Sequence, residues 1–204
     1  MKYNTLLSIL ILSIQERSSS LAALLSNLNF QIQKTGCENV EFLVLTDNKK
    51  RSIAEKRNNL LSIAKGKYIC FLDDDDTVSE NYIEKLCEAL ELQSEPDCIT
   101  FRQKCSINGC ALNVQFGLGN AHGNLIKDDN GDFHDIKRPP YHMCLFKRDL
   151  VKGIKFQQLY SAEGQSIEDI DWLLRVYPLL KTEHHIPSQL HKYIYDSKKS
   201  ASKN

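Results

Sequence analysis

Net charge is absent from this 204-residue chain: 26 Lys and Arg offset 26 Asp and Glu, so the whole molecule offers no field to steer it toward nucleic acid or anionic lipid. Charge-driven chemistry must come from local clusters. The apolar run LLSILIL at residues 6–12 falls far short of the ~20 residues that cross a bilayer and has no small-residue cleavage site, so it reads as a strand. Cysteine occurs seven times, an odd number with no Cys-x-x-Cys pair. That argues against a disulfide framework and a zinc ribbon, and for reduced thiols in a cytoplasmic protein. Repeats, low-complexity tracts and a glycine-rich loop after the first apolar run are also missing, which removes fibrous, disordered and P-loop classes.

What is present is an ordinary globular composition, 42% hydrophobic and 25% charged, in a length suited to one core. LLSILIL is followed by polar residues and then by Leu21, Leu24, Leu25 and Leu28 at helical spacing. VEFLVL at 40–45 is a second strand, ending at Thr46, Asp47 and Asn48. Residues 52–64 form a helix closing at Gly66, and YICFL at 68–72 is a third strand. Thr77 and Glu80 have capping-box spacing and start a helix lasting to about residue 94. Alternating helices and near-continuous apolar strands predict an α/β fold with a mostly parallel central sheet flanked by helices, its ligands at the carboxyl ends of the strands. Beyond residue 97 the pattern loosens. Strands at 98–106 and 111–116 flank the hairpin signal Asn108-Gly109, 142–146 is a strand, 166–180 a helix and 190–195 a strand, with a frayed Lys/Ser tail.

The third strand runs into Asp73, Asp74, Asp75 and Asp76. Side chains alternate along an extended chain, so Asp73 and Asp75 share one side and Asp74 and Asp76 the other. At ~6 Å and an effective dielectric of ~20, each like-charge pair costs roughly 3 kcal/mol. Such a cluster needs water, cationic partners or a hard divalent ion that accepts oxygen ligands. A plain solvated turn capping the next helix is the bland alternative.

The segment EKRNNLLSIAKGKYICFLDDDD, residues 55–76, resembles the Ala-Arg-Asn, Ala-x-Gly-x-Tyr-Ile and Phe-Leu-Asp-x-Asp-Asp series of family 2 glycosyltransferases with the GT-A fold, a Rossmann-like architecture. LSILILSIQER resembles the family's first strand and nucleoside loop, VEFLVLTDN its second strand, and SIEDIDWLLRV its Glu-Asp helix. The resemblance implies a single domain over 1–204. Residues 1–97 would bind a nucleotide sugar, 98–197 the acceptor through a small antiparallel region, and 198–204 would be tail. It implies that Asp47 hydrogen-bonds the donor's base, that Arg57 and Lys56 lie near the donor, and that Asp73 and Asp74 belong to the donor-binding Asp-x-Asp motif. Asp75, with Asp73, would ligate the Mn2+ or Mg2+ that bridges the donor diphosphate, and Asp169 would be the general base of an inverting transfer. The donor would be a UDP-sugar, and the acceptor a glycan, lipid-linked or protein hydroxyl. Trp172 can stack on a sugar or fill the core, and Tyr141 and His142 are candidate acceptor contacts.

The chain departs from the family in two places. Ser13-Ile14-Gln15 stands where Thr-Tyr-Asn is common, and Lys198 stands where many members place a metal-binding histidine, with His184, His185 and His191 upstream. Ser166-x-x-Asp169 also fits a simple helix cap. Two other readings remain at this stage: a GT-A-fold protein that binds nucleotide sugar without turnover, and a metal-dependent nucleotidyltransferase. The second would need a phosphate-binding glycine loop or a basic nucleic-acid groove, and the sequence has neither signal.

Overall fold

The computed structural model describes residues 5–121, 130 and 135–195. Strands β1 (Leu7–Ile14), β2 (Val40–Asp47) and β3 (Tyr68–Asp73) are parallel and stand in the order β2-β1-β3. The unbroken apolar run of β1 belongs to a strand covered on both faces, and nearly all of it is buried. Its polar Ser8 is satisfied: the hydroxyl donates to Glu41 at 2.6 Å and accepts from the Gly66 amide at 2.7 Å. The register pairs Ile14 with Asp47 and Leu12 with Asp73, so β1 and β2 end level and β3 ends two residues earlier at the same edge.

Beyond β3 the sheet is mixed. β4 (Thr77–Val78) lies off the main path, while β5 (Cys98–Ile107), β6 (Cys110–Phe116), β7 (Ile136–Arg138) and β8 (Leu145–Lys147) extend it in the order β3-β8-β5-β6-β7. β8 runs antiparallel to β3 and β5, and β6 antiparallel to β5, while β6 and β7 are parallel. β9 (Glu183–Tyr195) runs parallel to β5 and antiparallel to β4. Strands from both sides of residue 97 thus share one sheet. The β5–β6 hairpin turns at Asn108 and Gly109, both at positive φ (49° and 89°), as the Asn-Gly signal requires.

Among the described residues the helices are α1 (Ser18–Thr35), α2 (Ile53–Ile63), α3 (Tyr82–Leu90), the short α4 (Arg148–Val151) and α5 (Glu168–Val176). α1 links β1 to β2 and α2 crosses back over β1 to β3. Right-handed crossovers in opposite directions place these two helices on opposite faces. α3 packs with α1, and α5 with α2. Ser52 caps α2 by accepting from the Glu55 amide at 3.1 Å.

Several expectations are corrected. α2 ends at Ile63, and Gly66 serves packing: a Cβ there would sit 2.4 Å from the Ser8 nitrogen and 2.6 Å from the Tyr68 oxygen, so only glycine lets the chain pass so close to β1. Thr77 begins no helix. It lies in β4, opposite Lys192, and α3 starts at Tyr82 without a side-chain cap. The strand read at 142–146 begins at Leu145, after a turn closed by the Cys144 amide on Tyr141 O at 2.8 Å. The last strand starts at Glu183, and the helix read over 166–180 spans Glu168–Val176 before a 3-10 turn. Cys37 and Cys87 form a disulfide, which corrects the reading of seven reduced thiols; the packing of α1 on α3 joins cysteines whose 50-residue separation carries no pairing signal. Trp172 is fully buried, stacked 4.6 Å from Phe156 and edge-on to Phe71 and Phe146, so it fills the core and cannot meet a sugar. No helix among the described residues is long and apolar enough to cross a membrane. Lys198 lies outside the described residues.

Candidate active site

The four aspartates divide in exposure as the alternation predicts, but through a turn: β3 ends at Asp73, and the Asp76 amide closes on the Asp73 oxygen at 3.1 Å. Asp74 and Asp76 turn inward, their side chains 3% and 8% exposed, while Asp73 and Asp75 are 45% and 57% exposed. Each inward acid has partners. Asp74 accepts from Ser13 Oγ at 2.8 Å and from Arg17 Nη1 at 3.0 Å, which ties the acidic turn to the end of β1. Asp76 accepts from the Asp73 amide at 2.8 Å and lies 3.1 Å from His191 Nε2. Arg17 Nη1 also lies 3.0 Å from Asp75, so one guanidinium offsets two of the four charges.

The outward pair keeps residual repulsion. Loss of hydration, and then the charge of Asp76, push Asp73 above the usual carboxylate range against the pull of Arg57 and His142. Partial burial raises Asp75 too, with Asp76 and Asp74 adding to it in spite of Arg17. A carboxylate with a raised pKa destabilises the fold while ionised, and that cost disappears as pH falls through the raised value. Asp73→Asn is therefore expected to stabilise the ligand-free protein at neutral pH by up to about 1 kcal/mol, discounted for its exposure. Urea midpoints should show the gain at pH 7 and show it closing in acid.

Arg57, from α2, connects this turn to α5. Its side chain is 3% exposed and passes between the rings of Phe71 and Phe156, with Cζ 5.4 Å from each centroid. Nη2 lies 3.6 Å from Glu168 and 3.9 Å from Asp73, while Nε and Nη1 are buried with no hydrogen-bond partner among the described residues. Asn58 beside it grips Phe156 twice, donating to its oxygen and accepting from its nitrogen, both at 2.9 Å. Ser166 donates to Glu168, and Gln158 bridges the Ala54 amide and Ser166.

Asp169 opens α5, and the Ser-x-x-Asp cap does not form. Ile167 is the cap position, Ser166 is engaged by Glu168, and Asp169 faces Tyr141 and His142 instead. Its Oδ2 accepts from Tyr141 Oη at 2.8 Å and lies 3.3 Å from His142 Nδ1; its Oδ1 accepts from the Ile170 amide. Burial alone would raise its pKa, but His142, Arg57 and Tyr141 hold it far below the usual carboxylate range. His142 also acts on Asp73 and Asp76, and its carbonyl accepts from Phe71 in β3, so the acidic turn and the α5 carboxylate share one electrostatic neighbourhood.

Asp47 and Lys56 form a separate pair, each 5% exposed, with Lys56 Nζ 2.5 Å from Asp47 and 2.9 Å from the Ser13 carbonyl. The charge of Lys56 is thus held inside the protein. Asp47 also accepts from the amides of Arg51 and Lys49, the latter at φ 64°. Beside them, a groove of about 290 Å3 lined by Ile14, Gln15, Glu16, Asn48 and Lys49 opens at the ends of β1 and β2.

Asp73 and Asp75 fit a divalent-cation site of the type in which protein gives one or two carboxylates while phosphates and water complete the shell, because two mutually repelled acids gain from a bound cation. Among the described residues no group of three or more His, Cys, Asp or Glu side chains is set to hold a metal by itself. His191 does not supply one, its side chain being fully buried. Arg17 escaped the sequence reading, although four adjacent acids demand a cation and it is the nearest one after β1. Glu168 belongs to the Glu-Asp pair that the sequence displays, but its contact with Arg57, like that of Gln103 with His191, has no local spacing to mark it.

The family described as Glycosyl transferase family 2 matches residues 25–154. Among solved structures, S. aureus TarS 1-349 in complex with UDP-GlcNAc is 14% identical at a TM-score of 0.60, covering 98% of this chain and 61% of that one. TarS 1-349 without ligand gives 14% and 0.60, covering 93% and 60%. Its complex with UDP gives 12% and 0.59, covering 94% and 61%. The chain therefore spans about three fifths of the length of these structures, and the likeness is one of fold. No curated protein matches the sequence.

Proposed function

The chain belongs to glycosyltransferase family 2 and has its GT-A fold, and from that premise we propose that it transfers a sugar from a nucleotide-diphosphate donor to a hydroxyl acceptor with inversion. The observation that carries this reading is the pair of acid groups held together through Arg57 and His142: the outward Asp73 and Asp75 at the end of β3, and the ionised Asp169 at the start of α5.

The nucleoside would lie in the groove at the ends of β1 and β2, near Asp47, with uracil as the base. TarS, which binds UDP-GlcNAc, supports that choice of donor class. Asp73 and Asp75 would hold Mn2+ or Mg2+; when bound, the ion neutralises charge on the departing diphosphate. Arg57, buried between the acidic turn and α5 with Nη2 3.9 Å from Asp73, would act on the donor site through its charge. The acceptor hydroxyl attacks the anomeric carbon as the bond to the diphosphate oxygen breaks, and its proton passes to Asp169. Tyr141 and His142 fix the orientation of that carboxylate.

The test is nucleoside diphosphate release from UDP-sugars with and without Mn2+. In Asp75→Ala, release is expected to fall to the metal-independent background with the fold intact, because Asp75 is more than half exposed. Equal metal-dependent release from variant and parent would overturn the assignment.

A further inference from the structure

A chain of buried contacts reaches the acidic turn from the far side of the sheet. Cys105 Sγ donates to Gln103 Oε1 at 3.0 Å, and Gln103 Nε2 lies 2.9 Å from His191 Nδ1. The amide nitrogen can only donate, so Nδ1 accepts and the imidazole proton resides on Nε2. That atom lies 3.1 Å from Asp76 Oδ2, close enough for an electrostatic contact though not aligned as a hydrogen bond, and it has no other partner among the described residues. The same Oδ2 receives the Asp73 amide at 2.8 Å. Strand pairing fixes the geometry from outside the turn, because His191 stands opposite Val78 in the β4–β9 ladder and opposite Gln103 in the β5–β9 ladder.

From this we infer that His191 is a positioning residue for the cation site: its Nε2 proton holds Asp76, and Asp76 in turn fixes the backbone from which Asp73 and Asp75 project. The inference rests on the cation reading of that pair. It gives the histidine a task other than ligation, and it explains why a fully buried imidazole, an amide and a thiol are aligned behind two solvent-facing carboxylates. Groups that orient a metal's ligands typically contribute 10–100-fold to affinity.

The experiment is titration of Mn2+ in the presence of UDP, read by the electron paramagnetic resonance of the free ion, on the full chain and on His191→Leu and His191→Gln. Glutamine replaces the ring with an amide that can still present an N–H toward Asp76. The leucine variant is expected to bind Mn2+ about tenfold more weakly or worse, and the glutamine variant to recover most of the affinity. If His191→Leu does not fold, Gln103→Met takes its place, since it releases the constraint on the ring and is expected to weaken Mn2+ binding in the same direction. Parent-like affinity in the leucine variant, or equal loss in leucine and glutamine, would overturn the inference. Failure of the parent to bind Mn2+ at all would instead remove the cation reading of Asp73 and Asp75, a result distinguishable from the other two.

Discussion

Asp169→Asn is expected to leave donor binding unchanged and to lower sugar transfer by roughly two to four powers of ten. Asparagine is isosteric: its single amide oxygen can still accept from the Ile170 amide while its NH2 group can donate to the Tyr141 hydroxyl oxygen, so the local shape survives with one bond reversed. The charge and the proton-accepting oxygen are lost. Because His142 and Arg57 outweigh the effect of burial, the parent carboxylate is ionised throughout the neutral range, and activity in that range should carry no titration from it. Its basicity in the ground state is correspondingly weak. It can act because the acceptor hydroxyl turns acidic only as its oxygen bonds to the sugar. The sign of the stability change is also fixed. A carboxylate with a lowered folded-state pKa stabilises the protein above its unfolded value and loses that contribution as pH falls through the folded value, so the asparagine variant should be less stable near pH 7 and converge with the parent in strong acid. The separating measurement is the donor Michaelis constant against kcat for transfer. Unchanged kcat would remove Asp169 from the reaction.

The parts of this molecule that local sequence reveals are those whose residues follow one another. β1 and β3 announce themselves because a parallel strand buried on both faces must be apolar throughout, whereas the exposure of Asp73 to Asp76 alternates although only Asp73 is in the strand and Asp74 and Asp75 form a turn closed by the Asp76 amide on the Asp73 oxygen. The pieces that were misread are made by partners remote in sequence. Thr77 and Glu80 have capping-box spacing, but β9 claims Thr77 as a strand residue, and tertiary pairing outweighs the local signal. Ser166 and Asp169 have capping spacing too, and Glu168 and Tyr141 draw both side chains elsewhere. The disulfide, Arg17 over the acids and Gln103 behind His191 depend on which surfaces meet. A lysine in an amphipathic helix reads as solvated, so nothing at the level of spacing distinguishes Lys56, which is buried, from Lys49 or Lys50.

That burial makes Lys56→Met the variant with the largest expected effect on the fold. Methionine is close in length and carries no charge, so it leaves Asp47 ionised, 5% exposed and without its ammonium partner, and it removes the donor to the Ser13 carbonyl. Removing one member of a buried ion pair costs about 3–5 kcal/mol, and about 2–4 is expected here because Asp47 lies at the rim of the sheet, where water can approach. Asp47→Asn in the same chain should recover part of the loss, since its one amide oxygen can still accept from the Arg51 amide without needing a counter-charge, while the longer bond from Lys49, made to the other carboxylate oxygen, is given up. A double-mutant cycle in urea should give a coupling above about 1 kcal/mol. The acid limb supplies an independent check. Burial by itself would raise the Asp47 pKa, but Lys56 and the two amides lower it, so its contribution is present above the unfolded value and fades as pH falls through the folded one; in Lys56→Met that fading should shrink. Because the pair joins the carboxyl ends of β1 and β2, beside the groove at Ile14 and Asn48, loss of UDP affinity should accompany the loss of stability. A coupling near zero would mean that the two strand ends are held together by backbone pairing alone, with the buried charges contributing nothing to the cradle.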